Sequence, residues 1–421
     1  MLRQMLDCFI LARVVSLDMR GAAITQHSYT RKKFYSQLPA KLDLHLTCGN
    51  FPPSLLYFNS YGTPNESSYW HILRCSCQDP IMIRVGMIGL GRMGSGIALN
   101  IAKAGFPLAL YDTEEGLAQE LRNSWVKNHD LPSGPGGLGT PNLHSQGSAA
   151  DVMLASDVCL MCVHTEEQAI DALAGDDGLL TVGKKEMADK IIVDHGTVSP
   201  RFARKMADTV KAGGGSFLDA PVSGGPEGAK NGTLSVMIGG NEEHVKRCRP
   251  VLEAMGTQIE HMGPSGAGAA AKLVNQHLVI SNTVAACEAY VLARSLGLHD
   301  TTKLRELLRA SWGHRRGEHR GAKMLDITLR DLLKVEESAD GVESLRRSLA
   351  PIRTLAKDAA ILARAAGDCG ISISLFSAAR TQVDAACKSG FSDCSHAAMA
   401  TVIEEHCKTK HDKTDTTKEG Q

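Results

Sequence analysis

Three glycines and one acidic residue stand at the spacing of a dinucleotide-binding turn. The run Gly89-Leu90-Gly91-Arg92-Met93-Gly94 has the form G-x-G-x-x-G and lies between an apolar stretch over 83–88 and a helical pattern over 93–104. In such a turn the first glycine permits the bend, the second lets a pyrophosphate approach the backbone, and the third lets helix and strand pack closely. Phosphates then bind the free N–H groups at the start of the helix. The pattern predicts that every residue of this run contacts a dinucleotide.

The acidic residue is Asp112, which directly follows a second apolar run, Leu108 to Tyr111. A carboxylate about 20 residues beyond the glycines can bond the ribose hydroxyls of NAD and repels the extra phosphate of NADP. An ordinary glycine turn beside an unrelated surface acid would not require motif, strand, helix and acid in this order. We therefore expect NAD as the cofactor rather than NADP.

A second glycine-rich segment offers a site for an anion. Ser223, Gly224 and Gly225 lie in the run Asp219-Ala220-Pro221-Val222-Ser223-Gly224-Gly225. A serine hydroxyl flanked by glycine N–H groups suits a carboxylate, because successive backbone N–H groups form anion-binding concavities. The residues alone leave open a simpler interpretation, a turn between a strand and a helix.

Lys272 lies within a long apolar helical pattern from Ala267 to Leu296, and Asn275 and Gln276 follow on the same helix face. A lysine among apolar residues is costly unless it is paired or functional. Desolvation would lower its pKa toward neutrality, which suits a group that takes and returns a proton. From the residues alone, catalysis and a lysine that extends its ammonium to solvent are about equally favoured.

The elements that must position these residues alternate between strand and helix up to Pro264. Strands are predicted at 83–88, 108–111, 158–163, 191–193 and 216–218, with helical patterns between most of them. Such alternation predicts an α/β fold, a Rossmann-type doubly wound and mostly parallel sheet, followed by a second, all-helical domain. We expect the nucleotide-binding domain over 82–264, the helical domain over 265–405, and a charged, disordered tail over 406–421.

The first 81 residues show no sustained periodicity, and the stretch from Asn50 to Trp70 fits neither a helix nor a strand pattern. We expect an irregular extension, disordered or an artefact of gene prediction. Arg3, Arg13 and Arg20 resemble a mitochondrial presequence, but Asp7 and Asp18 argue against one. We therefore expect a cytoplasmic protein, with mitochondrial import as the alternative.

The composition of the chain limits the classes of partner that we expect. Lys plus Arg and Asp plus Glu both number 46 in 421 residues, so no net charge attracts nucleic acid or an acidic membrane. The 12 cysteines are scattered, and Cys75 and Cys77 lack the spacing of a zinc or redox site. We expect a small-molecule partner, no nucleic acid, no membrane and no metal.

These blocks, together with Gly232-Thr233-Leu234 and Lys357-Asp358, resemble the 3-hydroxyacid dehydrogenase family, and they span almost everything from 83 to about 400 in the family's order. The resemblance implies that Ser223, Gly224 and Gly225 hold the substrate carboxylate and that Lys272 is the general acid/base. It also implies a hydride transfer between NAD and a small 3-hydroxy acid, in a homodimer or homotetramer. The order Asn275-Gln276 resembles the tartronate semialdehyde and threonate-type branches, and either amide could contact the substrate.

Further cofactor contacts are implied by the resemblance alone. Val163 and His164 match a pair at a strand end, Thr197 keeps a cofactor contact, and Lys357 matches a lysine that closes over the nicotinamide. The segment His195-Gly196 departs from the family's usual Ser-Thr context. A basic cluster over 314–320 also departs from it, as either a solvated face or a site for a more acidic substrate.

Two other functions remain open at this stage. One is a decarboxylating 6-phosphogluconate-type dehydrogenase, which shares the cofactor domain and the lysine but normally has a larger helical domain. The other is a catalytically silent nucleotide-binding protein that serves interactions. Retention of Lys272, Ser223 and the glycines argues against the silent protein.

Overall fold

The computed structural model describes residues 41–46, 54–59, 71–73, 83–128, 143–298, 300–313, 328, 330–332, 345 and 351–406. The chain divides into two compact units, Met1–Met82 and Ile83–Gln421. The basic cluster over 314–320 and nearly all of the predicted tail lie outside the described residues. The predicted domain boundaries at 81, 264 and 405 stay predictions.

The first unit contains a small antiparallel sheet. Its strands are β1 (Lys41–Leu46), β2 (Ser54–Asn59) and β3 (His71–Leu73), in the order β1-β2-β3. The expectation of an irregular extension is wrong at these strands, and so is the absence of a strand pattern between Asn50 and Trp70. Polar and apolar residues alternate through β1, and β2 contains an aromatic pair, Tyr57-Phe58, a residue type that favours strands.

The second unit is built on one mixed sheet of nine described strands. They are β4 (Val85–Ile88), β5 (Leu108–Tyr111), β6 (Leu143–Ser145), β7 (Val158–Met161), β8 (Ile191–Asp194), β9 (Ser216–Asp219), β10 (Val222–Ser223), β11 (Leu234–Gly239) and β12 (Gly256–Gly263). Six of them run parallel in the order β6-β5-β4-β7-β8-β9. Numbered from β4, this is the 3-2-1-4-5-6 order of a Rossmann sheet, so the predicted fold class is confirmed.

Helices cover both faces of this sheet. They are α1 (Gly94–Lys103), α2 (Leu117–Asn128), α3 (Ala149–Ala155), α4 (Glu166–Ala174), α5 (Lys184–Met187), α6 (Pro200–Ala212), α7 (Gly225–Asn231) and α8 (Glu242–Glu253). Strands β4, β7 and β8 are buried along their whole length, which explains their continuous apolar sequence. One core contains Val85, Ile97 and Leu160, and the core on the other face contains Ile88, Met161 and Phe202.

The remaining helices form a separate core. They are α9 (Ala267–Ser295), α10 (Thr301–Gly313), α11 (Ile352–Asp368) and α12 (Ser374–Ala386), followed by helical residues over 399–406. Helix α9 spans 29 residues and belongs to both parts, because Ala269 packs in a core of the sheet whereas Leu273 and Val284 pack in the helical core. The long helix predicted from Ala267 to Leu296 is therefore confirmed. Among the described helices, none combines the length and hydropathy needed to cross a bilayer.

Candidate active site

The three motif glycines of the turn after β4 are required for three different reasons. Gly89 has a positive φ of 84°, and a Cβ there would lie 2.5 Å from the carbonyl oxygen of Cys162. A Cβ on Gly94 would overlap the carbonyl oxygen of Gly89, so only glycine lets α1 pack against the turn. A Cβ on Gly91, in contrast, would meet no protein atom within 4 Å. Protein packing thus accounts for Gly89 and Gly94, whereas the exposed Gly91 backbone fits the approach of a pyrophosphate.

The turn is held to the second strand by Asp112. Its Oδ2 accepts a hydrogen bond from the backbone N–H of Leu90 at 2.5 Å, and its Oδ1 accepts one from Glu114 at 2.9 Å. Arg92 is exposed, and Met93 is half-buried against the adjacent core at the start of α1. The acid that the sequence assigns to the ribose therefore lies beside the turn assigned to the phosphates.

Two further loops lie at the carboxyl ends of parallel strands. Val163 and His164 follow β7, where Thr165 begins α4 with a capping box and His164 donates its backbone N–H to the Gln168 side chain at 2.8 Å. Thr197 follows β8. Burial and the nearby Lys357 charge lower the pKa of the His164 imidazole. Carboxyl ends of parallel strands meet at one edge of the sheet, where α/β proteins bind their ligands.

Lys357 of α11 joins these two loops. Its Nζ donates to the carbonyl oxygens of His164 at 3.0 Å and Thr197 at 3.3 Å, and it lies 3.0 Å from Oδ1 of Asp358. The structure therefore brings together three residues that the resemblance assigns to the cofactor. It also shows that the helical part contacts the sheet at the predicted site.

Lys272 is buried in the second turn of α9, with 6% of its surface exposed. Its Nζ donates to the carbonyl oxygen of Val222 at 2.8 Å, one residue before Ser223. Burial is the largest cause that lowers the pKa of Lys272 to about 8, the Lys357 charge lowers it further, and the Asp358 carboxylate opposes the change. The direction agrees with the sequence-based prediction, and a lysine with this pKa exchanges protons readily near neutral pH.

A polar chain extends from Lys357 to the amides of α9. Asp358 is almost completely buried, and its Oδ2 accepts from Nε2 of Gln276 at 2.5 Å. The Oε1 of Gln276 accepts in turn from Nδ2 of Asn275 at 3.0 Å. Both ends of the Gln276 amide are thus engaged by protein groups, whereas Asn275 is half-buried. The sequence analysis gave no role to Asp358, whose signal was only its position next to Lys357, because its burial and its contact with Gln276 depend on the fold.

Asp219 anchors the glycine-rich segment to α9. Its carboxylate accepts from the backbone N–H groups of Gly266 at 2.8 Å and Ala269 at 2.9 Å, at the first turn of that helix. Ser223 is half-buried in β10, and Gly224 and Gly225 follow with positive φ of 141° and 66°. The sequence analysis missed the anchoring role of Asp219, which depends on contacts more than forty residues along the chain.

Two buried ionisable residues follow each other at the end of β8: Asp194 is its last residue, and His195 comes directly after it. Burial raises the pKa of Asp194 to about 6, and its Oδ1 accepts from the Gly196 N–H at 2.8 Å. Burial also lowers the pKa of His195 to about 4, and its Nδ1 lies 2.7 Å from the carbonyl oxygen of Ala220. These residues therefore link the β8 loop to the segment that carries Ser223.

The assembled site has three parts. The first is the glycine turn after β4 with Asp112, and the second is the pair of loops after β7 and β8, which Lys357 joins. The third is Lys272, whose lowered pKa lets it lose its proton near neutral pH, beside the segment that contains Ser223. Such a site can hold a dinucleotide and exchange a proton with a small anionic substrate. Contacts among the described residues link Lys272 to the segment of Ser223 through Val222, and Gln276 to Lys357 through Asp358.

Family models match most of the second unit. Residues 84–263 match the NAD binding domain of 6-phosphogluconate dehydrogenase, and residues 266–327 match the NAD-binding domain of NADP-dependent 3-hydroxyisobutyrate dehydrogenase. The chain is 34% identical to 2-hydroxy-3-oxopropionate reductase of Escherichia coli over 60% of this chain and 80% of that protein. It is 33% identical to NAD-dependent L-serine dehydrogenase of Pseudomonas aeruginosa over 55% of this chain and 71% of that protein.

Human mitochondrial 3-hydroxyisobutyrate dehydrogenase is 33% identical over 54% of this chain and 62% of that protein. The solved structure of 3-hydroxyisobutyrate dehydrogenase from Salmonella typhimurium superimposes with a TM-score of 0.62 at 23% identity, over 76% of this chain and 99% of that chain. The structural likeness supports the fold, and the sequence likeness supports the family. The chain belongs to the NAD(P)-dependent 3-hydroxyacid dehydrogenase family.

Proposed function

We propose that this enzyme transfers a hydride between NAD and a small 3-hydroxy acid, with Lys272 as the general acid/base. The observation that carries the proposal is the buried Lys272 amine, whose Nζ lies 2.8 Å from the carbonyl oxygen of Val222, beside Ser223. This contact supports the proposal, because an amine that can exchange a proton lies next to a segment suited to an anion. A base and a carboxylate site so close together favour a substrate whose acid and carbinol groups are close together too.

The names of three relatives agree with this substrate class. L-serine, 2-hydroxy-3-oxopropionate and 3-hydroxyisobutyrate each have a carboxylate separated by one carbon from an oxygen-bearing carbon. We infer that this enzyme takes a substrate of the same class, such as 3-hydroxyisobutyrate, glycerate or tartronate semialdehyde, or threonate. The hydroxyl of Ser223 and the N–H groups of Gly224 and Gly225 hold its carboxylate.

The chain's own groups then move the proton. With its pKa lowered to about 8, Lys272 has a neutral fraction near neutral pH and takes the proton of the substrate hydroxyl on Nζ. When bound, the dinucleotide supplies a nicotinamide ring that accepts the hydride released from the carbinol carbon. For reduction of the carbonyl product, protonated Lys272 returns the proton. We assign the substrate amide contact to Asn275, since both ends of the Gln276 amide are held by Asp358 and Asn275.

The acidic residues after β5 support NAD as the cofactor. Asp112 bonds the turn at Leu90, and Glu114 and Glu115 follow it within three positions, so a 2′-phosphate would meet a cluster of negative charge. Both cofactors are named among the matches. One matched family model is described as NADP-dependent, and one relative is described as NAD-dependent. The preference of this enzyme is therefore proposed from its own residues.

Replacement of Asp112 tests the cofactor preference. In Asp112→Ser we expect kcat/KM with NAD to fall about tenfold or more and the ratio of NADP to NAD activity to rise, because the ribose acceptor and its repulsion are both lost. The matched control is Glu186→Gln, which removes an exposed charge on α5, outside this cluster. An unchanged NADP to NAD ratio in Asp112→Ser would contradict the assignment.

A substrate panel tests the reaction itself. NADH formation is measured with 3-hydroxyisobutyrate, D-glycerate, L-threonate, L-serine and 6-phosphogluconate, and carbon dioxide is assayed in parallel. We expect turnover of one 3-hydroxy acid without carbon dioxide, and loss of about 10²–10⁴-fold in Lys272→Ala. The control Lys246→Ala removes an exposed lysine paired with Glu242 and Glu243 and should keep full activity.

Each other outcome would replace the proposal. Carbon dioxide from 6-phosphogluconate would support a decarboxylating dehydrogenase. Binding of NAD with no turnover of any acid would support a nucleotide-binding interaction protein. Undiminished turnover in Lys272→Ala would leave the reaction in place and reject the lysine as its acid/base.

A further inference from the structure

The segment from Asp219 to Ser223 is fixed at several points. At one end the Asp219 carboxylate bonds the first turn of α9 through Gly266 at 2.8 Å and Ala269 at 2.9 Å. At the other end the carbonyl of Val222 accepts from Lys272 at 2.8 Å. The segment therefore determines where the proposed carboxylate site lies relative to the proposed base.

Ala220 lies between these two fixed points, and both polar groups of its backbone contact residues at the end of β8. Its N–H donates to the carbonyl oxygen of Asp194 at 2.7 Å. Its own carbonyl oxygen lies 2.7 Å from Nδ1 of His195. Pro221 follows directly and has no N–H of its own to donate. The imidazole of His195 is thus the one side chain with a described hydrogen bond to the backbone of Ala220.

The protonation of His195 follows from its surroundings. A carbonyl oxygen only accepts, so Nδ1 must carry the hydrogen in this contact. Nε2 is buried and has no hydrogen-bond partner among the described residues, so a second proton there would be an unsatisfied buried donor. Burial accordingly lowers the pKa of His195 to about 4. One neutral tautomer, with hydrogen on Nδ1, is kept throughout the neutral pH range.

The sheet fixes the position of this imidazole. The backbone N–H of His195 donates to the carbonyl oxygen of Met161 at 2.8 Å, which extends the pairing of β8 with β7 by one residue. Only 3% of the His195 surface is exposed, so the ring is enclosed by protein. A rigid ring on a rigid strand end is suited to hold a neighbouring loop rather than to reach a substrate.

We propose that His195 is a positioning residue for the reaction: its Nδ1–H holds the Ala220 carbonyl and so sets the spacing between Ser223 and the Lys272 amine. The inference rests on the proposed function for its catalytic consequence, and on geometry alone for the loop it fixes. The role assigned to His195 is to hold this backbone and not to exchange a proton or contact the hydroxy acid. Its loss therefore weakens substrate binding and alignment without removing the acid/base or the nucleotide-binding turn.

The test compares His195→Phe, which keeps a ring but removes the donor, with His195→Asn, whose amide N–H can replace Nδ1–H. The control is His144→Phe, at an exposed position of β6. Hydrogen–deuterium exchange is measured on a peptide containing residues 219–224, together with NAD affinity, thermal midpoint, and kcat and KM for the acid identified in the panel.

In His195→Phe we expect faster exchange in this peptide and a KM for the hydroxy acid raised about tenfold, the effect of one lost hydrogen bond. NAD affinity and exchange elsewhere should stay unchanged, and His195→Asn should restore both properties. Unchanged exchange and KM in His195→Phe would overturn the proposal. The proposal would also be overturned if His195→Phe and His195→Asn lowered the thermal midpoint and the NAD affinity equally, because this result indicates a purely structural role.

The two proposals fail separately. If the wild-type enzyme oxidises no hydroxy acid, the proposed function is wrong, while exchange over residues 219–224 still decides whether His195 holds the segment. If turnover is found and the exchange is unaffected, the positioning role is wrong and the function stands.

Discussion

The lowered pKa of Lys272 predicts opposite pH dependences for the two directions of the reaction. Oxidation needs the neutral amine, so its kcat/KM should rise about tenfold per pH unit below about 8 and level off above it. Reduction needs the protonated amine, so its kcat/KM should be constant below about 8 and fall above it. Titration of a single group thus gives a rising limb in the pH profile of kcat/KM for oxidation and a falling limb in that for reduction, and both bend at the same pH.

The magnitude follows from the structure. Moving the pKa of Lys272 from 10.5 to about 8 raises its neutral fraction at neutral pH by about 300-fold. Three nearby groups titrate away from pH 8, because burial raises the pKa of Cys162 to about 12 and that of Asp194 to about 6 and lowers that of His195 to about 4. The Asp358 carboxylate raises the pKa of Lys272, so Asp358→Asn should move both limbs to lower pH.

The assay measures initial rates in both directions from about pH 6 to about pH 10, at saturating cofactor. Lys272→Arg serves as the main variant, since its guanidinium stays protonated and should show neither limb. Asp384→Asn, which removes a half-exposed carboxylate on α12 paired with Arg380, is the control for Asp358→Asn and should leave both limbs in place. A limb near pH 8 that persists in the residual activity of Lys272→Arg would refute the reasoning.

Two further predictions concern packing and assembly. In Gly94→Ala the new Cβ overlaps the carbonyl of Gly89, so we expect a lower thermal midpoint of unfolding. In Gly91→Ala the new Cβ meets no protein atom, so the midpoint should stay the same while NAD affinity falls about tenfold or more. A lower midpoint of Gly91→Ala in calorimetry would contradict this prediction. If the enzyme is a homo-oligomer whose interface includes the exposed face of α9, Leu292→Lys should lower the mass measured by light scattering, while Leu154→Lys on α3 should not. An unchanged mass in Leu292→Lys would exclude that face.

Much of the nucleotide-binding part could be predicted because its signals are local. The turn at Gly89, strands β4, β5, β7, β8 and β9, and helix α9 each follow from apolar runs and glycines within a few residues. Strands β6, β10, β11 and β12 are not predicted by the sequence. The polar sequence of β12, Gly256–Gly263, is a strand because it pairs in parallel with β11, a tertiary effect that intrinsic preference does not reveal.

The site was predicted less completely, since its contacts join distant residues. The burial of Lys272 and the lowering of its pKa follow from an apolar helix, but its contact with Val222 crosses 50 positions and that of Gln276 with Asp358 crosses 82. Asp219 looked like part of a turn and is a helix anchor as well. Roles of single residues stay predictions until the variants are measured.

Helix α9 gives the enzyme a mechanical property. It is unbroken for 29 residues, so the two parts cannot rotate against each other at a point inside it. Its first turn is clamped to the sheet by the Asp219 carboxylate, which accepts from the N–H groups of Gly266 and Ala269. At about 1.5 Å per residue, Lys272 lies roughly 9 Å from Gly266 along the helix and Leu292 nearly 40 Å. A rotation of about 5° would then displace Lys272 by less than about 1 Å but Leu292 by about 3 Å, so the proposed base keeps its alignment while the far end moves.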